Sequence, residues 1–325
     1  MKRVAILVGV LVVVLAVLIL SLRVGMWAPK TEDVLAKYAA PPSKFVDING
    51  IKVHLRDEGS GPVVVMVHSS MTDLNIWNGV ADALKKNYRV IRYDWPPYGF
   101  STDPKEDFGT DKAAALLGGV ADYLKLNEFT IVASSSGATL SVVYAAAHPD
   151  RVNGLALSSL PLELPPGRSI DWRVDAIGWA HRNFFPDYYP RFYYDLTLPR
   201  LVGDVRNLKP EIVEWYYQTN NIPDRQRRIS KYIAANQKGL WKKGATAEAG
   251  QIEKPILLQW GDSDPVLPAD LGDKAAKDFA KAQVKIIHYK DVGHYPMFEI
   301  PQKMAEDIEA WLDTGVAVPV SIGPP

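Results

Sequence analysis

Three serines stand in a row in "VASSSGA", Val132 to Ala138, between an apolar run and a run of small residues. A serine hydroxyl attacks a carbonyl only when a neighbouring base takes its proton and an acid orients that base. A nucleophile carried on a sharp strand-to-helix turn needs small residues two positions before and two after it, because the two backbones run close together there. Ser135 meets that requirement with Ala133 and Gly137. Ser134 would set the branched Val132 at the crowded position. Ser136, flanked by Ser134 and Ala138, is sterically possible but lacks the glycine, and it stands as the alternative.

The base must come from six histidines. His294 lies in "DVGHYP", a glycine-containing loop directly after the apolar run Val284 to Tyr289. His54 and His288 fall inside strand-like runs, His148 ends a helical stretch before Pro149, and His181 lies in an aromatic segment; a structural reading suits these four. For the acid, "WGDSDPVLP" follows another apolar run and offers Asp262 and Asp264. Asp264 is the better placed, since two further residues carry the chain out over the strand end and Pro265 fixes the turn; Asp262 reads as a turn-capping aspartate.

These residues need a scaffold that gathers strand ends at one edge. "FVDINGIKVHLRDEG" holds two short alternating runs around Asn49-Gly50, the signal of a hairpin with a type I′ turn. The runs Val63–His68, Tyr88–Asp94, Phe129–Ser134, Val152–Ser159, Pro255–Gly261 and Val284–Tyr289 are almost continuously apolar, as strands covered on both faces should be. Helical patterns at Trp77–Lys86, Lys112–Lys125, Gly137–Ala147, Ala269–Ala282 and Pro301–Leu312 separate most of them. Such alternation predicts an α/β fold with a mostly parallel sheet flanked by helices, whose ligands bind beyond the carboxyl ends of the strands. Residues 161–250 interrupt it with an aromatic, mainly helical insertion that has the character of a lid, most of its rings forming the insertion's own small core.

Composition narrows the field further. The 37 basic residues balance the 37 acidic ones, so no net field favours nucleic acid. With no cysteine, disulfides, thiolate metal sites and a cysteine nucleophile are excluded. "VAILVGVLVVVLAVLILSL", Val4 to Leu22, carries no charge, follows Lys2 and Arg3, and is long enough to cross a bilayer. The stretch after it offers no clear small-residue cleavage site, which favours an uncleaved anchor over a secretory signal. The expected organisation is an anchor or signal over 1–26, a linker over 27–44 standing the folded part off the membrane, a core of 45–160 and 251–314, the insertion at 161–250 and a loose tail over 315–325. A short N-terminus inside and a globular body outside, periplasmic or extracellular, is the simplest topology; secretion after cleavage is the alternative.

From Phe45 to Leu312 the chain resembles the capped branch of the α/β-hydrolase family. "VVVMVHSSMTDLNIW" looks like its His-Gly loop, "YDWPPYGFS" like its Asp-x-x-Gly-x-Gly-x-Ser loop, and "VASSSGATLSVVYAAAHPDRV" like its nucleophile elbow and following helix. "PILLQWGDSDPVLP" and "VGHYPMFEIPQKMAEDIEAWL" match its acid and histidine segments, and Ser135, Asp264, His294 keep its chain order. Departures are Ser69 where glycine is usual, Ala133 at the start of the elbow, and Pro97 in the fourth-strand loop. The resemblance implies an eight-stranded sheet with a helical cap inserted after strand 6. It also implies a serine hydrolase acting on a small-molecule ester, with no cofactor and no metal. The oxyanion hole would use backbone N–H groups of Ser136 and of Ser70, with Ser69 as alternative. Glu163 is a minority candidate for the acid. A serine at 135 disfavours dehalogenase and epoxide-hydrolase chemistry, which need an aspartate. Trp172, Trp179 and Met71 are expected to line the substrate site, and residues 4–22 to hold the membrane. A carbon-carbon or amide hydrolase would want a cationic anchor, for which Arg173, Arg182, Arg225, Arg227 and Arg228 are candidates, although a solvated helix face explains them as well. A ligand-binding protein without catalysis is the reading from another class.

Overall fold

The computed structural model describes residues 2–102, 108–163, 171–236 and 244–316. The expected tail therefore lies outside the described residues from 317 onward. Eight strands form one sheet: β1 (Lys44–Ile48), β2 (Ile51–Glu58), β3 (Val63–Val67), β4 (Arg89–Tyr93), β5 (Phe129–Ser134), β6 (Val152–Ser158), β7 (Ile256–Gly261) and β8 (Val284–Tyr289). Their order is β1-β2-β4-β3-β5-β6-β7-β8, with β2 antiparallel to both β1 and β4 and the pairs among β3 to β8 all parallel. The β1–β2 turn places Asn49 at φ 53° and Gly50 at φ 79°, the two positive angles that an Asn-Gly hairpin supplies.

Because side chains alternate along a strand, the apolar runs feed two cores. Val65, Val67, Ile131, Ala133, Leu155, Leu157 and Leu258 face one side. There they meet α4 (Thr110–Tyr123) and α5 (Ser136–Ala147). Val64, Met66, Val132, Ala156 and Leu257 face the other, against α3 (Asn78–Leu84) and the C-terminal helix Pro301–Trp311. Continuous rather than alternating hydrophobicity follows from this two-sided burial.

Between β6 and β7 the described residues include the helices α6 (Trp172–Phe184), α7 (Arg191–Thr197), α8 (Pro210–Asn220) and α9 (Arg225–Asn236), followed by a single turn at Thr246–Ala249. Part of their aromatic content does form a local core, with Tyr189 stacked on His181 at 3.7 Å and on Tyr193 at 4.1 Å. At the other end of the chain, α1 (Lys2–Arg23) is apolar on all sides and has no buried residue, with the length and composition of a transmembrane or signal helix.

The stretch expected as a stand-off linker is structured. Thr31–Tyr38 forms helix α2, and its Val34 is buried against Phe100 of the core and Ile222 of the inserted helices. Further ties reach the same two bodies: the Tyr38 carbonyl accepts from Arg56 and Asn75, and the Trp27 carbonyl accepts from the Tyr217 hydroxyl at 3.4 Å. The chain leaving α1 is thus docked across core and insertion, not held away from them.

Candidate active site

β5 ends at Ser134, and Ser135 turns the chain into α5 with φ 50° and ψ −125°. A serine in that region is strained by about 1–3 kcal/mol, and such strain persists only where the surroundings over-determine it. Here the Ser135 N–H donates to the Ser158 carbonyl at 2.9 Å, and the Ser135 carbonyl accepts from Ala138 and Thr139. The close approach anticipated at position 137 is real: a Cβ built on Gly137 would lie 2.2 Å from the His68 oxygen. Ser135 is partly exposed, whereas Ser134 and Ser136 are buried.

Asp264 and His294 meet on the loops after β7 and β8. The imidazole Nδ1 lies 2.8 Å from Asp264 Oδ2, with both side chains nearly inaccessible to solvent. Three other donors converge on the same carboxylate: the N–H groups of Val266 and Leu267 on Oδ1, and the Ser159 hydroxyl on Oδ2 at 3.0 Å. Ser159 follows Ser158, the residue that receives the Ser135 N–H, so elbow and Asp–His pair are joined through the end of β6. Nδ1 donating to the carboxylate leaves Nε2 as the basic nitrogen of a neutral ring.

The competing acids are elsewhere. Asp262 pairs with the exposed His288, and Glu163 pairs with Lys274 on the surface at 2.6 Å. Trp172 and Trp179, expected to line the substrate site, are 75% and 56% exposed, so in this arrangement they form no enclosed wall. Met71, at φ 63°, is half-buried against the core, and its carbonyl accepts from Asn220 of α8. Of the candidate cationic anchors, Arg173 is paired with Asp171 and Arg227 with Asp187. Arg225 is buried and donates to the carbonyls of Pro97 and Gly99, which fixes the loop after β4.

Sequence reasoning missed several supports. Buried Glu299 accepts from Gly203 N–H at 2.8 Å and Gly293 N–H at 3.0 Å, clamping the loop before His294, and burial raises its carboxyl above the usual range. The His294 N–H donates to the Leu201 carbonyl at 2.8 Å. Asp94 accepts from Leu74 and Phe100 N–H groups and bonds His54 Nδ1 at 2.7 Å, tying two loops of the edge together. His68 Nδ1 bonds the Ser69 carbonyl and Nε2 accepts from Trp95 N–H; burial pushes the ring down to about 4, so it is neutral. Asp73 accepts the Trp215 indole N–H from α8 at 2.9 Å; burial, with the Asp94 charge beside it, pushes its carboxyl up to about 6. Only the short motif "YDWPPYGFS" carried any signal of these partners, by placing Asp94 at a strand end.

Among the expected oxyanion residues, Ser136 opens α5, where the first N–H groups have no partner within the helix. The Ser70 N–H is engaged: it donates to the Ser136 side-chain oxygen at 2.8 Å. The Ser69 hydroxyl instead lies 3.2 Å from Thr72 Oγ1.

A mostly parallel sheet with a positive-φ serine closing a central strand, and a histidine–aspartate pair on two neighbouring loops, is the architecture of an α/β hydrolase. A family model described as alpha/beta hydrolase fold matches residues 62–301, and the chain belongs to that family. It is 24% identical over 263 residues to the pimeloyl-[acyl-carrier protein] methyl ester esterase of Nitrosomonas europaea, covering 79% of this chain and 98% of that one. With the 2-hydroxy-6-oxo-2,4-heptadienoate hydrolase of Pseudomonas putida it shares 28% identity over 273 residues, 79% of this chain and 91% of the relative. Among solved structures it is similar to a membrane phospholipase A described as a bacterial virulence factor, with TM-score 0.70, 21% identity, and coverage of 97% of this chain and 99% of that chain.

Proposed function

We propose that this chain is a membrane-anchored serine hydrolase that cleaves an ester of an apolar small molecule through an acyl-enzyme. The observation that carries the reading is the 2.8 Å bond from His294 Nδ1 to Asp264, joined through Ser159 and Ser158 to the strained turn at Ser135. In this mechanism Nε2 of His294 takes the Ser135 proton, and the serine oxygen attacks the ester carbonyl. The protonated imidazole then returns the proton to the departing alcohol. Water, deprotonated by the same nitrogen, hydrolyses the acyl-enzyme. Asp264 holds the ring in the required tautomer and faces the imidazolium when it forms. Neither a metal nor an organic cofactor enters these steps.

The inserted helices act as a cap over the strand ends, and their aromatic content suits an apolar acyl or alcohol group. Anchoring by residues 4–22, with the globular part outside the membrane, brings that cap close to lipid, because the chain leaving α1 docks on it at Tyr217 and Ile222. The likeness to the Pseudomonas putida hydrolase favours a second reading, a carbon-carbon bond hydrolase with the same triad. Pairing of Arg173, Arg225 and Arg227 within the protein weighs against it, since an acidic substrate needs a free cation.

The test is covalent labelling of the full detergent-solubilised chain with a fluorophosphonate, beside turnover of p-nitrophenyl esters of rising chain length. Labelled wild type, unlabelled Ser135→Ala, and turnover lost in Ser135→Ala and His294→Ala are the expected results. A folded wild type that takes no label points to a ligand-binding protein on this fold. Activity surviving in Ser135→Ala but lost in Ser136→Ala transfers the nucleophile's role to the neighbouring serine.

A further inference from the structure

The contact between Ser70 and Ser136 departs from what an oxyanion hole requires. If the Ser70 main-chain N–H is to bind a developing oxyanion, it should point into open space beside Ser135. Instead it donates to the Ser136 hydroxyl oxygen at 2.8 Å, and the two side-chain oxygens, Ser70 Oγ and Ser136 Oγ, lie 2.7 Å apart. The Tyr98 phenol in turn bonds the Ser70 side chain. Both serines belong to the elbow's immediate surroundings: Ser136 is 2% exposed at the first position of α5, and Ser70 is half-buried on the loop after β3.

Either hydroxyl of the Ser70–Ser136 pair can donate to the other, and one of the two arrangements frees the Ser136 proton. A serine hydroxyl has one proton to donate and two lone pairs to receive. With the Ser70 N–H and the Ser70 hydroxyl both donating to Ser136 Oγ, its lone pairs are filled and its own proton is left to donate outward. Tyr98, whose phenol also bonds the Ser70 side chain, fixes the place of that hydroxyl behind Ser136.

We propose that the Ser136 side-chain hydroxyl is itself an oxyanion-hole donor, standing in for the Ser70 N–H that it occupies, with Ser70 and Tyr98 as positioning residues behind it. The proposal rests on Ser135 being the nucleophile. In the tetrahedral intermediate the substrate oxygen then receives the Ser136 main-chain N–H and the Ser136 O–H, and the Ser70 N–H acts at one remove. No bond is made or broken by Ser136; the hydroxyl keeps its proton throughout. Substituting the Ser70 side chain therefore has a kinetic effect, which a main-chain donor alone would not give it.

The test compares wild type, Ser135→Ala, Ser136→Ala and Ser70→Ala as full-length solubilised protein, using p-nitrophenyl ester turnover and inhibition by a trifluoromethyl ketone, whose carbonyl oxygen mimics the oxyanion once the Ser135 oxygen has added to the carbonyl carbon as a hemiketal. Ser136→Ala should lose about 10²-fold in kcat. Its ketone affinity should fall by a similar factor while KM stays within about two-fold, because the donor acts on the transition state and not on bound substrate. Ser70→Ala, which keeps its N–H and removes only the chain behind Ser136, should lose about five-fold, the worth of one ordinary hydrogen bond. Ser136→Ala turning over as fast as wild type or faster, with Ser135→Ala dead, identifies the hydroxyl as a mere occupant of the hole and overturns the proposal alone. So does a loss of turnover without a parallel loss of ketone affinity. Should Ser136→Ala fail to fold, an unchanged Ser70→Ala is the overturning result. Full activity in Ser135→Ala removes the nucleophile assignment, and the proposal with it.

Discussion

Gly137 is the residue on which the elbow's geometry can be tested most directly. A Cβ built there would lie 2.2 Å from the His68 oxygen, 2.8 Å from the Val67 oxygen and 3.0 Å from the His68 carbonyl carbon. Carbon–oxygen contacts settle at about 3.3–3.6 Å, so Gly137→Ala demands that backbone separate from backbone by about 1 Å. No rotamer relieves it, because every neighbour is main chain. The displaced segment carries Ser69 and Ser70 on one side and Ser135 on the other, so the site is stretched across its own width. A misplacement of about 1 Å costs around 10²-fold in rate. Overpacking of this kind also costs about 1–3 kcal/mol of stability, or roughly 2–6 °C in Tm for a domain of this size. The assay is p-nitrophenyl ester turnover beside a thermal melt of the full chain. Gly178→Ala is the control: it lies inside α6, its added Cβ meets only the flexible end of Arg182 at 3.4 Å, and it should gain about 0.5–1 kcal/mol with turnover unchanged. Wild-type turnover and melting in Gly137→Ala would refute the claim that two backbones need this close approach.

Asp264→Asn keeps the shape of the acid but offers an amide in place of the acceptor for His294 Nδ1, and kcat should fall about 10⁴-fold with the melt little changed. Glu299→Ala leaves the N–H groups of Gly203 and Gly293 without their acceptor, at about 1–3 kcal/mol each, and should lower Tm and turnover together; Glu299→Gln, which retains one acceptor oxygen, should recover part of both. Asp73 supplies a pH signature. Its carboxyl holds a proton up to about pH 6 in the folded state and only to about 3.8 when unfolded, so its contribution to stability is present below about pH 4 and is lost as pH rises through 6. Thermal melts should therefore show Asp73→Asn gaining on wild type between pH 4 and 6; a constant difference across that window would refute the assignment.

The parts of this molecule that sequence made legible are those with a local cause. Continuous apolar runs such as "VVVMV" read as two-sided strands because both neighbouring layers demand hydrophobic side chains, and the strand bounds at β5 and β8 match the runs themselves. Asn49-Gly50 read as a turn because few residue pairs tolerate two positive φ angles. Small residues at 133 and 137 told of a close approach that is a property of the turn. Helix α2 carried a signal that the surrounding prolines masked: Val34, Leu35 and Tyr38 form an apolar face in "TEDVLAKY", with Val34 buried and the other two partly so. The rest depends on partners far apart in the chain. Glu299 clamps Gly203, Trp215 donates to Asp73, and Ser159 donates to Asp264. None of these pairs leaves a periodicity or a motif, because their meeting is a consequence of the fold and not of neighbouring residues. Exposure of Trp172 and Trp179 belongs to the same class, since a helix with apolar residues on more than one side does not tell which side is covered.

The insertion's place in the site follows from where its main chain is bonded. An independent lid would touch the core through side chains and open without disturbing it. Here the Leu201 carbonyl receives the N–H of His294 itself, and Gly203 shares the Glu299 carboxylate with Gly293, one residue before that histidine. A Cβ at Gly203 or at Gly293 would strike backbone of the other segment at 2.3 Å, so the two loops are pressed together where both are glycine. On the opposite flank, Trp215 is bonded to Asp73 and Asn220 to the Met71 carbonyl, both on the loop after β3 that also bears Ser70. The inserted segment therefore holds His294, the proposed base, from one side and the loop bearing Ser70 from the other. An opening that moved residues 201–203 or 215–220 would break these bonds to the His294 loop and to the loop after β3.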